Sequence, residues 1–82
     1  MIEIQDGILV NPELIQCVEK FYLADKVEGQ YGLQLHFIRG RENYYFANEK
    51  ERNGAYSKIY NANKSVHLTS TVKTSAERHW DF

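Results

Sequence analysis

Apolar and polar residues alternate along this chain in short, bounded runs, with one stretch at helical spacing. The first run, MIEIQDGILVN, puts Ile2 and Ile4 on one side of a strand and then turns at Asp6-Gly7. Asp-Gly favours a tight hairpin turn whose two central positions take positive φ, and Ile8, Leu9 and Val10 supply the returning strand. NPELIQCVEKFYLA reads in two ways. As a helix, Asn11 caps it, Pro12 takes the first helical position, and Leu14, Ile15, Val18, Phe21 and Tyr22 form one stripe. As a strand, it turns at Asn11-Pro12-Glu13 and sets Ile15, Cys17, Phe21 and Leu23 on one face. Pattern alone leans slightly to the helix.

DKVEGQYG is a polar loop with two glycines, and LQLHFIRG is the cleanest strand. Its Leu33, Leu35 and Phe37 face one way, and Gln34, His36 and Ile38 the other. Gly40 opens a short turn into a second strand, RENYYFA, giving a hairpin meander with no proline to interrupt pairing. Asn48 then caps a helix with Glu51 three residues on, and Glu49 and Glu51 complement the positive end of its dipole. Ala55, Tyr56, Ile59 and Tyr60 recur on one helical face, which directs both tyrosines to the core. Gly54 costs about 1 kcal/mol in a helix interior, for which close approach to the sheet is the expected compensation. The helix ends at Asn61 or Asn63. SVHLTSTV alternates Val66, Leu68 and Val72 and reads as an edge strand of this molecule or of a neighbouring one, followed by the polar tail KTSAERHWDF.

LVNPELIQCVEK followed by LQLHFIRGRENYYF and a helix resembles the flagellar FlbD-type small proteins. The matching positions are Val10, Asn11, Glu13, Leu14, Ile15, Val18, Glu19, Gly40 and Arg41, across about half of the chain. The chain departs from that pattern in its longer ADKVEGQYG loop and in the tail after Asn63. The resemblance implies a compact, mostly antiparallel β unit closed by a helix, with nothing catalytic, and it tips residues 12–23 to the strand reading. No flagellar role is carried over. The expected architecture is an α+β domain over residues 1–72: a small antiparallel β-meander of four to five strands closed by one helix (about 49–62), with an extra edge strand (about 65–72). A polar tail, 73–82, follows and ends in aromatic residues.

At 82 residues the chain has room for one core. Its apolar and charged fractions, 43% and 26%, belong to a globular domain and not to a disordered chain. No apolar run approaches a membrane span, and MIEIQDG lacks a basic segment followed by an apolar one, so neither membrane insertion nor a leader is expected. One cysteine, Cys17, makes no internal disulfide, and a cytoplasmic setting is the expectation. Net charge is −1, against strong electrostatic binding of nucleic acid, although residues 50–78 carry six basic side chains against two acidic ones.

The candidate chemistry is thin. His36, His67, His79 and Cys17 are isolated in sequence, without the paired spacing that lets one short element present two zinc ligands, so no metal and no cofactor is expected. Cys17 lies in an apolar segment with nothing nearby to activate it. There is no nucleophile elbow, phosphate loop or dinucleotide fingerprint, and Glu49 with Glu51 is explained by helix capping. Enzymatic activity is not expected. Two surfaces remain. Arg39, Arg41 and Arg52 with Tyr44, Tyr45 and Phe46 resemble the cation-edged aromatic face of sheet-type single-strand binders, aided by Lys50 and Lys58. Trp80 and Phe82 in the tail are residue types that anchor protein interfaces, and open sheet edges favour strand addition or a homodimer. The leading expectation is a non-catalytic protein–protein interaction module using Trp80, Phe82, Tyr45, Arg39, Arg41 and Arg52. The alternatives are a weak RNA- or DNA-binding regulator and a small-molecule binder in a helix–sheet or inter-subunit pocket.

Overall fold

The structure, a computed structural model, describes residues 1–24 and 30–70 in full and the backbone of residues 71–73. The sequence readings of the loop at 25–29 and of the tail from residue 74, with Trp80, Phe82 and His79, therefore lie outside the described residues.

The fold is α+β. Strands β1 (Ile2–Gln5) and β2 (Ile8–Val10) pair as an antiparallel hairpin. Only Gly7 takes positive φ in its turn (+80°), so Asp6 does not adopt the mirror-image conformation expected of it. The pairing instead skips a residue, passing from Glu3–Leu9 to Gln5–Ile8, and the Glu3 carboxylate accepts the Gly7 N–H at 3.0 Å. A single 3₁₀ turn, Pro12–Leu14, follows, held by the Asn11 side chain accepting from the Glu13 N–H. The ambiguous segment then runs as strand β3 (Ile15–Leu23).

β3, β4 (Tyr31–Phe37) and β5 (Gly40–Phe46) form the antiparallel meander. Helix α1 (Glu49–Ala62) carries the chain back across the sheet to β6 (His67–Lys73), which pairs with β3 in parallel and gives the order β5-β4-β3-β6. The edge strand thus belongs to this molecule, and it departs from the antiparallel pattern because a helix, not a turn, connects it.

The core lies between α1 and one face of the sheet, with the hairpin closing one side. Val18, Leu33, Leu35 and Phe46 meet Ala55 and Ile59, while Ile4, Val10, Ile15 and Val66 seal the margins. The face assignment along β3 differs from the simple alternation. Ile15 pairs with Phe37 and Cys17 with His36, so Gln16 is an extra residue that resets the parity. Ile15 and Val18 face the helix; Cys17, Glu19, Phe21 and Leu23 face away.

α1 is capped as its sequence implies, the Asn48 side chain accepting from the Glu51 N–H at 2.9 Å. Its buried stripe is Arg52, Ala55 and Ile59, with Tyr56 packed beside them. Tyr60 does not join the core: it is 37% exposed, with the Lys64 ammonium 5.4 Å above its ring. Nor does Gly54 approach the sheet, since a Cβ at that position would meet nothing within 4 Å.

Candidate functional site

Tyr44 and Phe46 point to the helix and Tyr45 to the opposite face, because alternate residues of one strand face opposite ways. On that far face the Phe21 ring lies across Gly32, with a Cβ at Gly32 only 2.2 Å from its Cζ, and the Tyr45 ring meets Phe21 edge-on at 5.7 Å. Tyr45 is thus half-buried against a neighbour. Arg52 is on the other side of the sheet and buried, 6% exposed. Its guanidinium donates to the Phe21 and Gly32 carbonyls (3.0 and 3.5 Å) and lies 3.7 Å from the Glu49 carboxylate. Burial pulls its pKa down and Glu49 opposes that, so the cation is committed to joining helix and sheet. The expected surface of Arg52 beside Tyr45 is therefore divided between two faces.

The far face also assembles a row that the sequence spacing hides. Cys17 on β3 stands opposite His36 on β4 and His67 on β6, and His36 stands opposite Arg41 on β5. Glu19 approaches His36 at 3.9 Å. Burial raises the Cys17 pKa and the charge of Glu19 adds to it, while the neighbouring Thr69 hydroxyl and, more weakly, Arg41 act in the lowering sense. A thiol so placed is protonated and sluggish at neutral pH. Among the described residues no three His, Cys, Asp or Glu side chains converge as a metal ion would need.

One end of the sheet presents exposed apolar and cationic side chains together. Phe37 pairs with Gly40, leaving Ile38 and Arg39 as the apex of a two-residue turn. Neither apex residue takes positive φ; Gly40, at +151°, supplies the departure that closes the hairpin. Ile38 is 78% exposed, and Arg39 and Arg41 are exposed beside it. Because Ile15 pairs with Phe37, Leu14 falls at this same end, one residue beyond the pair, and it too is exposed. By pattern alone Ile38 passes for the last residue of an alternating strand. A signal is nonetheless present in the sequence, since a large β-branched residue directly before an Arg-Gly pair is not turn chemistry.

At the opposite end lies a groove of about 560 Å³ between β1 and α1, with Ile4, Phe46 and Ala55 as its floor. Glu3, Asp6 and Glu51 stand on its rim with one lysine, Lys58, whose ammonium donates to the Glu3 carbonyl at 3.2 Å. No protein-family model, curated protein or solved structure matches the chain. Among the described residues, no helix is long and apolar enough to cross a membrane.

Proposed function

We propose that this chain is a non-catalytic protein–protein interaction module that docks through the β4–β5 turn. Ile38 is the anchor, Leu14 extends the apolar contact, and Arg39 and Arg41 form a cationic border that sets register on an acidic partner surface. The observation that carries this reading is the exposure of Ile38. The turn would form with polar residues at its apex, which favour such positions, so nothing in the fold asks for isoleucine there. An apolar side chain entering a partner's pocket, with charges excluding water at the border, is the usual anatomy of a small interface. The half-buried lone thiol suits a reducing, cytoplasmic setting.

The nucleic-acid alternative has less support, because Arg52 is spent on backbone carbonyls and Tyr45 on Phe21. The small-molecule alternative would use the groove between β1 and α1, whose carboxylate rim is open to water.

A photo-crosslinking residue placed at Arg39, with Lys50 on the exposed helix as control, tests the reading in the producing cell. Crosslinks to protein are expected from position 39 alone, and Ile38→Asp should remove them while leaving the thermal melt unchanged. Equal crosslinking from both positions, or crosslinks to RNA, would overturn it.

A further inference from the structure

The turn and the groove sit at opposite ends of the molecule and complement each other. β5 starts beside the turn at Gly40 and ends in the groove floor at Phe46, so its seven residues separate the two by roughly 20 Å. The turn presents an apolar tip and two arginines. Three carboxylates and one ammonium surround the groove, and that ammonium is already held by a backbone carbonyl. Glu42, the carboxylate on β5 next to Arg41, is occupied by the Tyr44 hydroxyl. The volume of about 560 Å³ falls within the roughly 300–1,000 Å³ of ordinary ligand clefts, enough for a turn tip.

Gly54 adds an independent observation. It lines the groove, and among the described residues a Cβ there would meet nothing within 4 Å beyond its own helix turn. A mid-helix glycine costs about 1 kcal/mol and here secures no close approach among the described residues. Its effect is to keep the groove open next to exposed helix backbone, a use of glycine where another chain approaches closely.

Resting on the docking reading above, we infer that the occupant of the groove is a second copy of this chain: Ile38 and Arg39 of one copy enter between β1 and α1 of the next. Ile38 covers the floor of Ile4, Phe46 and Ala55, and Arg39 meets Glu3, Asp6 and Glu51. The contact pairs two different surfaces, the turn of one copy with the groove of another. Where each added copy leaves one turn and one groove free the assembly grows as a chain, and it stops where the free turn and groove meet, as a ring or as a reciprocal pair.

Sedimentation velocity on the whole chain across a dilution series tests this. The wild type should gain mass with concentration and lose it as salt screens the arginines. Ile38→Asp blocks the turn and Gly54→Gln fills the groove; both sites are exposed, so Ile38→Asp should melt like the wild type and Gly54→Gln, relieved of a mid-helix glycine, no lower than it. Each should self-associate at least roughly tenfold more weakly, as loss of an anchor contact does. Mixed in equal amounts, they should form a dimer and nothing larger, because the mixture holds one working turn and one working groove per pair. A wild type that stays monomeric, or a mixture that does not pair, would sink the inference. If the wild type is monomeric yet Ile38→Asp still abolishes crosslinking to a different protein, only the second copy is wrong and the docking turn stands.

Discussion

Three glycines show how differently single residues are constrained, and alanine at each should separate the causes. Gly40 has open space where a side chain would go but sits at φ +151°, a conformation that L-residues rarely adopt. Gly40→Ala should cost about 1–3 kcal/mol through the backbone alone. Gly32 lies beneath the Phe21 ring, which is 2% exposed and has little room to retreat, so Gly32→Ala should cost about 1–3 kcal/mol through overpacking. Gly54→Ala should stabilise the monomer by about 0.5–1 kcal/mol. Urea melts check all three, and a loss at Gly54 would show a contact in the folded monomer that the open space around it denies. Tyr44 adds a pH signature. Burial, then the hydrogen bond and charge of Glu42, push its pKa up to about 12. The unfolded chain releases that proton near 10, so the folded state holds it where the unfolded state does not. Stability from this group is complete below pH about 10 and declines between about 10 and 12. Burial raises the Tyr56 pKa as well, so, following phenolate absorbance, Tyr44→Phe should diminish the late-titrating fraction and leave the part that belongs to Tyr56.

Among elements, α1 is the most legible in the sequence, because its cap, acidic first turn and stripe are all local signals. Its contacts are less so. A periodic stripe of Ala55, Tyr56, Ile59 and Tyr60 invites an aromatic edge, yet the structure turns the stripe toward its N-terminal side, burying Arg52 and releasing Tyr60. A charged residue reads as solvent-facing until the carbonyls that need it are known, and those of Phe21 and Gly32 come from strands far away in sequence. β3 is a strand as expected and Cys17, Phe21 and Leu23 share a face as expected, but one extra residue at Gln16 resets the alternation, puts Ile15 on the other face and leaves no mark in composition. The exposed turn escapes a pattern reading because Ile38 happens to continue the period of β4. Arg52 allows the element-level account to be measured. Arg52→Ala leaves two carbonyls without their donor and should cost about 1–3 kcal/mol. In a domain of this size that lowers the melting temperature by roughly 4–8 °C per kcal/mol. Arg52→Lys should recover only part of the loss, since an ammonium keeps the charge but not the planar group whose one nitrogen serves both carbonyls while the others reach Glu49 and Asn53. Full recovery with lysine would mean that charge, and not geometry, joins helix to sheet.

For the molecule as a whole, the decisive step is the return from α1 to β6, which fixes the parallel pairing with β3 and which a local pattern has no means to specify. Local pattern marks Asn63 only as one possible helix end. In the structure it joins three separate parts of the chain. Its N–H donates to the Ile59 carbonyl to close α1, and its side-chain oxygen accepts from Ser65 to turn the chain toward β6. Its side-chain amide donates to the carbonyls of Pro12 and Ile15, at 3.0 and 3.4 Å, on the turn that launches β3. The strand that β6 must find and the helix that delivers it are thus tied at one carboxamide. Two substitutions separate the tasks. Asn63→Asp keeps an acceptor for Ser65 but replaces the donor with an anion facing two carbonyls, whereas Asn63→Ala removes both. If the donor matters most, aspartate should be at least as damaging as alanine, each costing about 1–3 kcal/mol. Hydrogen exchange should then show the β3–β6 amides losing protection before those between β3 and β4, as the parallel edge opens ahead of the meander. Uniform loss across the sheet would instead mean that Asn63 supports the domain generally, with no special part in bringing β6 home.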